Sequence, residues 1–228
     1  ISGAYARGHR GEAMKTAEDS LRISAAIALP MGVGLAVMSR PIMNLLYPNS
    51  NAAGPGLLSI MGIASFFVCL VLMENAVLQA SGKEKLTMIT LISGGVIKIV
   101  VNWFLVAQRG INIYGAPIGT LVSYFIMAAM DFVFMCVTLK ETPRMLRVFA
   151  GPVGASLLMG ASAWAVYGLA GRCLGTGSYF AMAACAGLAI LAAVIVYVVS
   201  VIAMRVITKE DMSLIPGGEK VAKILHMR

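Results

Sequence analysis

Residues Glu74–Asn102 read ENAVLQASGKEKLTMITLISGGVIKIVVN. An apolar segment ends in a polar group, Glu74, Asn75 and Gln79. A short turn, SGKEK at 81–85, carries Lys83, Glu84 and Lys85. A second apolar segment then runs back and holds Lys98 and Asn102. Both segments are continuous apolar runs of helix length, without the period-two alternation of barrel strands. Ionisable groups inside such runs cost about 2.5–3.5 kcal/mol each on insertion scales, so they call for a role.

Four more runs of the same kind surround this pair. The six lie at about 23–46, 57–80, 86–107, 114–139, 148–170 and 179–204. Each is long enough to cross a hydrocarbon core of roughly 30 Å as a helix. Gly and Pro mark the connections: NSNAAGPG at 49–56, Gly110, Pro143 and GRCLGTG at 171–177. Of the 228 residues, 59% are hydrophobic and 12% charged, with mean hydropathy +0.87. Soluble domains carry about 25% charged residues. Six runs in so short a chain leave almost no polar face for a soluble core. The expected fold is all-α, a polytopic membrane helix bundle with six transmembrane helices. Residues 1–22 are expected as a cytoplasmic lead-in and 23–139 as four helices with polar content. Residues 140–204 are expected as a more apolar pair and 205–228 as a cytoplasmic tail.

The net charge of +8 would suggest nucleic acid in a soluble protein. Here it sorts by loop. Arg7, Arg10, Lys15 and Arg22 precede the first run; Lys83 and Lys85 follow the second. Lys140, Arg144 and Arg147 follow the fourth, and five more Lys or Arg lie beyond the sixth. The opposite loops hold only Arg40, Arg109 and Arg172. By the positive-inside rule both termini are expected on the cytoplasmic side of the cell membrane.

Glu74, Lys98 and Asp131 stand inside the runs. At a rise of about 1.5 Å per residue, Lys98 lies near the middle of its segment, and both carboxylates lie toward the basic end. The short turn makes the second and third runs antiparallel neighbours, so a Glu74–Lys98 pair is expected. Asn75 and Gln79 share one helix face, as do Gly94, Lys98 and Asn102. Thr120, Tyr124, Asp131 and Thr138 form a stripe at spacings of four and seven. The three faces are candidates for a common water-filled cavity, the alternative being interhelical hydrogen bonds that fix packing. The small-residue steps Gly115–Gly119, Gly151–Ala155 and Ser156–Gly160 suit close helix approach.

No catalytic constellation is present, and the expectation is a protein that is not an enzyme and needs no cofactor or metal. Cys69, Cys136, Cys173 and Cys185 share no metal or redox spacing, and His9 and His226 lie near the termini. No phosphate loop, zinc spacing or HExxH stands in the chain.

Several stretches carry a family resemblance: SRPIMNLLYP at 39–48, ENAVLQASGKEKL at 74–86, KIVVNWFL at 98–105 and IYGAPIGTLVSY at 113–124. They resemble polysaccharide-export and lipid-flippase transporters of the multidrug/oligosaccharidyl-lipid/polysaccharide exporter superfamily. Within it, the look is of the stage V sporulation protein B group, related to peptidoglycan lipid II flippases. The opening ISGAYARGHRGEAMKTAEDSLRI is similar to the segment leading into the ninth helix there. The resemblance implies two lobes of about fourteen helices with alternating access, of which this chain carries the ninth to the fourteenth. It implies a partner in the N-terminal lobe, which the chain lacks, and contact with membrane lipids. It implies a lipid-linked saccharide as substrate, as in peptidoglycan or polysaccharide assembly for the cell wall or in sporulation. An accessory helix pair would help hold the lipid tail. Lys98 would meet the substrate's anionic group, with Gln79 and Asn102 as polar partners. The alternative is a multidrug or small-molecule antiporter of the same superfamily, with Glu74 or Asp131 exchanging the cation.

Overall fold

The computed structural model describes residues 1–47, 53–140, 142–175 and 178–204. The expected tail at 205–228, with His226, lies outside the described residues, as do 48–52 and 176–177 of two connections. Eight α-helices and one 3-10 turn are described: α1 (Ser2–Ala6), α2 (Arg10–Val37), α3 (Ser39–Leu46), α4 (Gly54–Ala80), α5 (Glu84–Val106), α6 (Gly115–Leu139), α7 (Met145–Leu174) and α8 (Tyr179–Ala203). The 3-10 turn, Asn112–Tyr114, leads into α6. Six of the helices are long and apolar enough to cross a membrane. The outward side chains agree, with Trp103, Trp164, Phe180 and Leu146 all largely exposed. The chain is a multi-pass membrane protein.

The first run departs from expectation at both ends. The lead-in is not separate, because α2 runs unbroken from Arg10. Ala13, Met14, Ala17 and Leu21 continue its apolar stripe at helical spacing and are buried against Val77, Leu78, Met135 and Leu139. Charged residues occupy the other faces, with Arg22 bonded to Asp19 at 3.1 Å. At the far end α2 stops at Val37, and α3 begins at Ser39. Pro41 explains the break. It has no N–H to offer the Val37 carbonyl four residues back, and its ring would clash there in a continuous helix.

The long helices form a row. α6 packs extensively on both α4 and α5, α4 packs on α2, and α2 packs on α7, which pairs with α8. Small residues make the crossings close. A Cβ on Gly62 would lie 2.8 Å from the Gly32 carbonyl and 2.9 Å from the Ala36 nitrogen, so α2 and α4 meet backbone to backbone. Gly160 of α7 instead takes a side chain, since a Cβ there would lie 2.8 Å from Val33 Cγ1 of α2. Phe67 stacks edge-on against Phe125 at 5.4 Å, tying α4 to α6, and Phe66 against Phe149 at 6.0 Å, tying α4 to α7.

Pro30 sits inside α2 and frees the Ala26 carbonyl. The Tyr197 hydroxyl of α8 donates a hydrogen bond to that oxygen. A backbone group orphaned in one helix is thus satisfied from another, as apolar surroundings demand.

Candidate functional site

Glu74 and Asp131 come together. They sit on α4 and α6, helices that run in the same direction, and both are completely buried. Glu74 lies six residues before the end of α4, and Asp131 eight before the end of α6. That puts them about 9 and 12 Å inside the basic end of the row. They are within Coulombic reach of each other. Among the described residues, neither forms an ion pair, and none of their four carboxylate oxygens accepts a hydrogen bond. Thr90 of α5 reaches toward Asp131. Its hydroxyl donates instead to the Thr87 carbonyl at 2.9 Å, which leaves the carboxylate without a formed bond. Thr87, one turn away, is buried with its own oxygen unpartnered, and so is the side-chain oxygen of Asn75.

The expected Glu74–Lys98 pair does not form. Lys98 is half-buried, and no ion pair joins it to a carboxylate among the described residues. Two features of the packing separate them. α6 packs against both helices, while α4 and α5 touch each other only slightly. Lys98 also stands fourteen residues into α5, which offsets it from Glu74 by about 12 Å along the helix axes. A lysine stem does not span that.

The polar faces likewise part company. Gln79 is exposed, although it shares a stripe with buried Asn75. Asn102 turns to the other end of α5, where its side-chain oxygen lies over Gly119 and would collide with a Cβ there. Gly94 packs on Met127. Thr120 donates to the carbonyl of Ala116 in its own helix at 3.0 Å. Of the residues singled out in sequence, Glu74 and Asp131 come together and Asn75 is buried next to Glu74 in the chain, while Gln79 is exposed and Lys98 and Asn102 lie farther along α5. Thr90, which faces Asp131, is not among the residues singled out in sequence. A signal was present: Thr87, Thr90 and Gly94 stand at spacings of three and four, which puts three small or hydroxylated residues on one face of α5.

Burying a charge without a partner costs several kcal/mol, and two like charges together cost more. The locus offers two carboxylates with hydroxyl and amide oxygens beside them. Among the described residues there is no group of three or more His, Cys, Asp or Glu suited to a metal ion. A second, quite different feature lies between α2, α7 and α8. This is a groove of about 500 Å³ with an almost wholly apolar lining, including Pro30, Gly34, Met159, Ala193 and Tyr197.

Residues 1–104 match the MatE family. The matched segment takes in α2, α4 and α5, including Glu74 but not Asp131. The chain is also similar to the uncharacterized membrane protein YabM of Bacillus subtilis (strain 168), at 26% identity over 213 residues. That alignment covers 92% of this chain but only 38% of YabM. No solved structure matches the chain significantly.

Proposed function

We propose that the chain is part of a cation-coupled exporter that moves lipid-linked saccharides across the cell membrane by alternating access. The observation that carries transport is the Glu74–Asp131 pair, two buried carboxylates with no counter-ion among the described residues. Its protonation or cation occupancy would bias the packing of α4 against α6, and so the outward and inward states. The match to MatE over residues 1–104 supports an exporter and not an enzyme. The apolar groove beside α7 and α8 favours a lipid-tailed cargo, because it offers an acyl or polyprenyl chain a path while the headgroup crosses elsewhere. The lobe that completes the cavity would come from the remainder of a longer protein, as the 38% coverage of YabM suggests. Lys98, half-buried and without a partner carboxylate among the described residues, keeps its proposed role as contact for the cargo's anionic group.

The second reading is a small-molecule antiporter, which the same carboxylate pair would serve. One experiment separates them. The full-length protein is expressed in cells depleted of their own lipid-precursor flippase, and outward exposure of the precursor is followed with an impermeant probe. Rescue that is lost in Lys98→Ala supports flipping. Absence of rescue together with cation-dependent drug extrusion supports the antiporter.

A further inference from the structure

Two recesses open at the basic end of the row, and they share one wall. The first, about 690 Å³, is lined by Lys15 of α2 with Lys140 and Arg144. The second, about 760 Å³, is lined by Lys83, Lys85 and Lys140. Lys140 stands between them because it ends α6 in the left-handed conformation, with φ 56°. Among the described residues, none of these five cations forms an ion pair. Glu18 and Glu84 also line the recesses, and Glu141 follows Lys140 in sequence but lies outside the described residues. Glu18 is engaged already, since its carboxylate accepts the Arg144 backbone N–H at 2.7 Å. The recesses are thus concave and carry more cations than anions.

The second recess is also amphipathic. Leu86 and Val137 form part of its wall, and Val137 is 69% exposed on the outward face of α6. A ligand there would have its anion among three lysines and its apolar part against the surface that faces lipid. A soluble anion has no use for that second contact. Basic pockets between transmembrane helices at the cytoplasmic side suit phosphorylated lipid headgroups.

We propose that this recess binds the phosphodiester headgroup of an anionic membrane phospholipid, with Lys140 as its central contact. The proposal rests on the membrane-spanning reading but not on the cargo. An occupied recess would clamp the α4–α5 turn to the end of α6, close to the buried carboxylates.

The test uses the full-length protein in nanodiscs of phosphatidylcholine, with or without phosphatidylglycerol. Native mass spectrometry counts the lipids retained. Selective retention of phosphatidylglycerol is expected. Lys140→Gln should weaken it about fivefold, and Lys83→Gln/Lys85→Gln/Lys140→Gln by on the order of a hundredfold. Lys140→Arg should keep it. Arg147→Gln lies at the same end but does not line the recesses, and should leave it unchanged. Equal retention of both lipids overturns the proposal. So does an equal loss in Arg147→Gln, which would show a diffuse charge effect. Displacement by inorganic phosphate or pyrophosphate as readily as by lipid would assign the site to a free anion. A tagged reporter placed after Arg109, in the loop at the opposite end of α5, checks that each variant keeps its orientation. Transport assays on the same variants report separately on the proposed function.

Discussion

A carboxylate at Glu74 or Asp131 is costly whichever helix packs beside it, and that much was legible in the residue types. Their association was not. The short turn at 81–85 argued for α4 beside α5, yet a turn fixes only the ends it joins, and α6 takes the space between the two helices over most of their length. Lys98 therefore lacks the neighbour that the turn suggests. If the pair is a functional load and not a structural bond, its removal has a distinct signature. Glu74→Gln and Asp131→Asn each take away a buried like charge, so thermal unfolding of the purified protein should be unchanged or shifted upward. Cation-dependent transport should be lost in both. A variant that unfolds at lower temperature and keeps transport would make the pair a packing feature. Lys98→Ala combined with Glu74→Gln should shift the unfolding temperature by the sum of the two single shifts, since the two do not touch.

Element boundaries follow from a few residues with strong local effects. Pro41 ends α2 at Val37, although the apolar run continues to about residue 46. Pro30 does not end the same helix, because Tyr197 supplies a donor for the carbonyl it frees. Composition shows the proline but not the donor 167 positions later. Tyr197→Phe should lower stability by about 1 kcal/mol, with the loss read as easier unfolding in a denaturing-detergent titration. The glycines divide in the same way. Gly62→Ala puts a methyl group against rigid backbone of α2 and should cost about 1–3 kcal/mol. Gly95→Ala, on α5, meets open space within 4 Å and should be neutral or stabilising by up to about 1 kcal/mol. If the two substitutions behaved alike, the close α2–α4 crossing would be wrong.

At the scale of the whole molecule, the row of helices separates two chemistries. The α4–α5–α6 side holds buried charge, while the α2–α7–α8 side holds an apolar groove. The sequence already showed the asymmetry, since the last two runs carry no Asp, Glu, Lys or Arg. It did not show a groove, which depends on how Gly34, Met159 and Ala193 leave space where three helices meet. The proposal of a lipid-tailed cargo rests on that space, and Gly34→Leu tests it directly. A Cβ at Gly34 meets nothing nearer than the Met159 methyl at 3.8 Å, so the new side chain can enter the groove without moving backbone. Leucine is also a better helix former than glycine by close to 1 kcal/mol, so folding should hold or improve. With the groove filled, flipping of a lipid-linked saccharide should fall severalfold or more. Extrusion of a small cationic drug, if the protein supports it, should stay as it was, because the Glu74–Asp131 locus lies across the row. Unimpaired flipping in a well-folded Gly34→Leu protein would remove the groove from the transport path and with it the main structural argument for a lipid cargo.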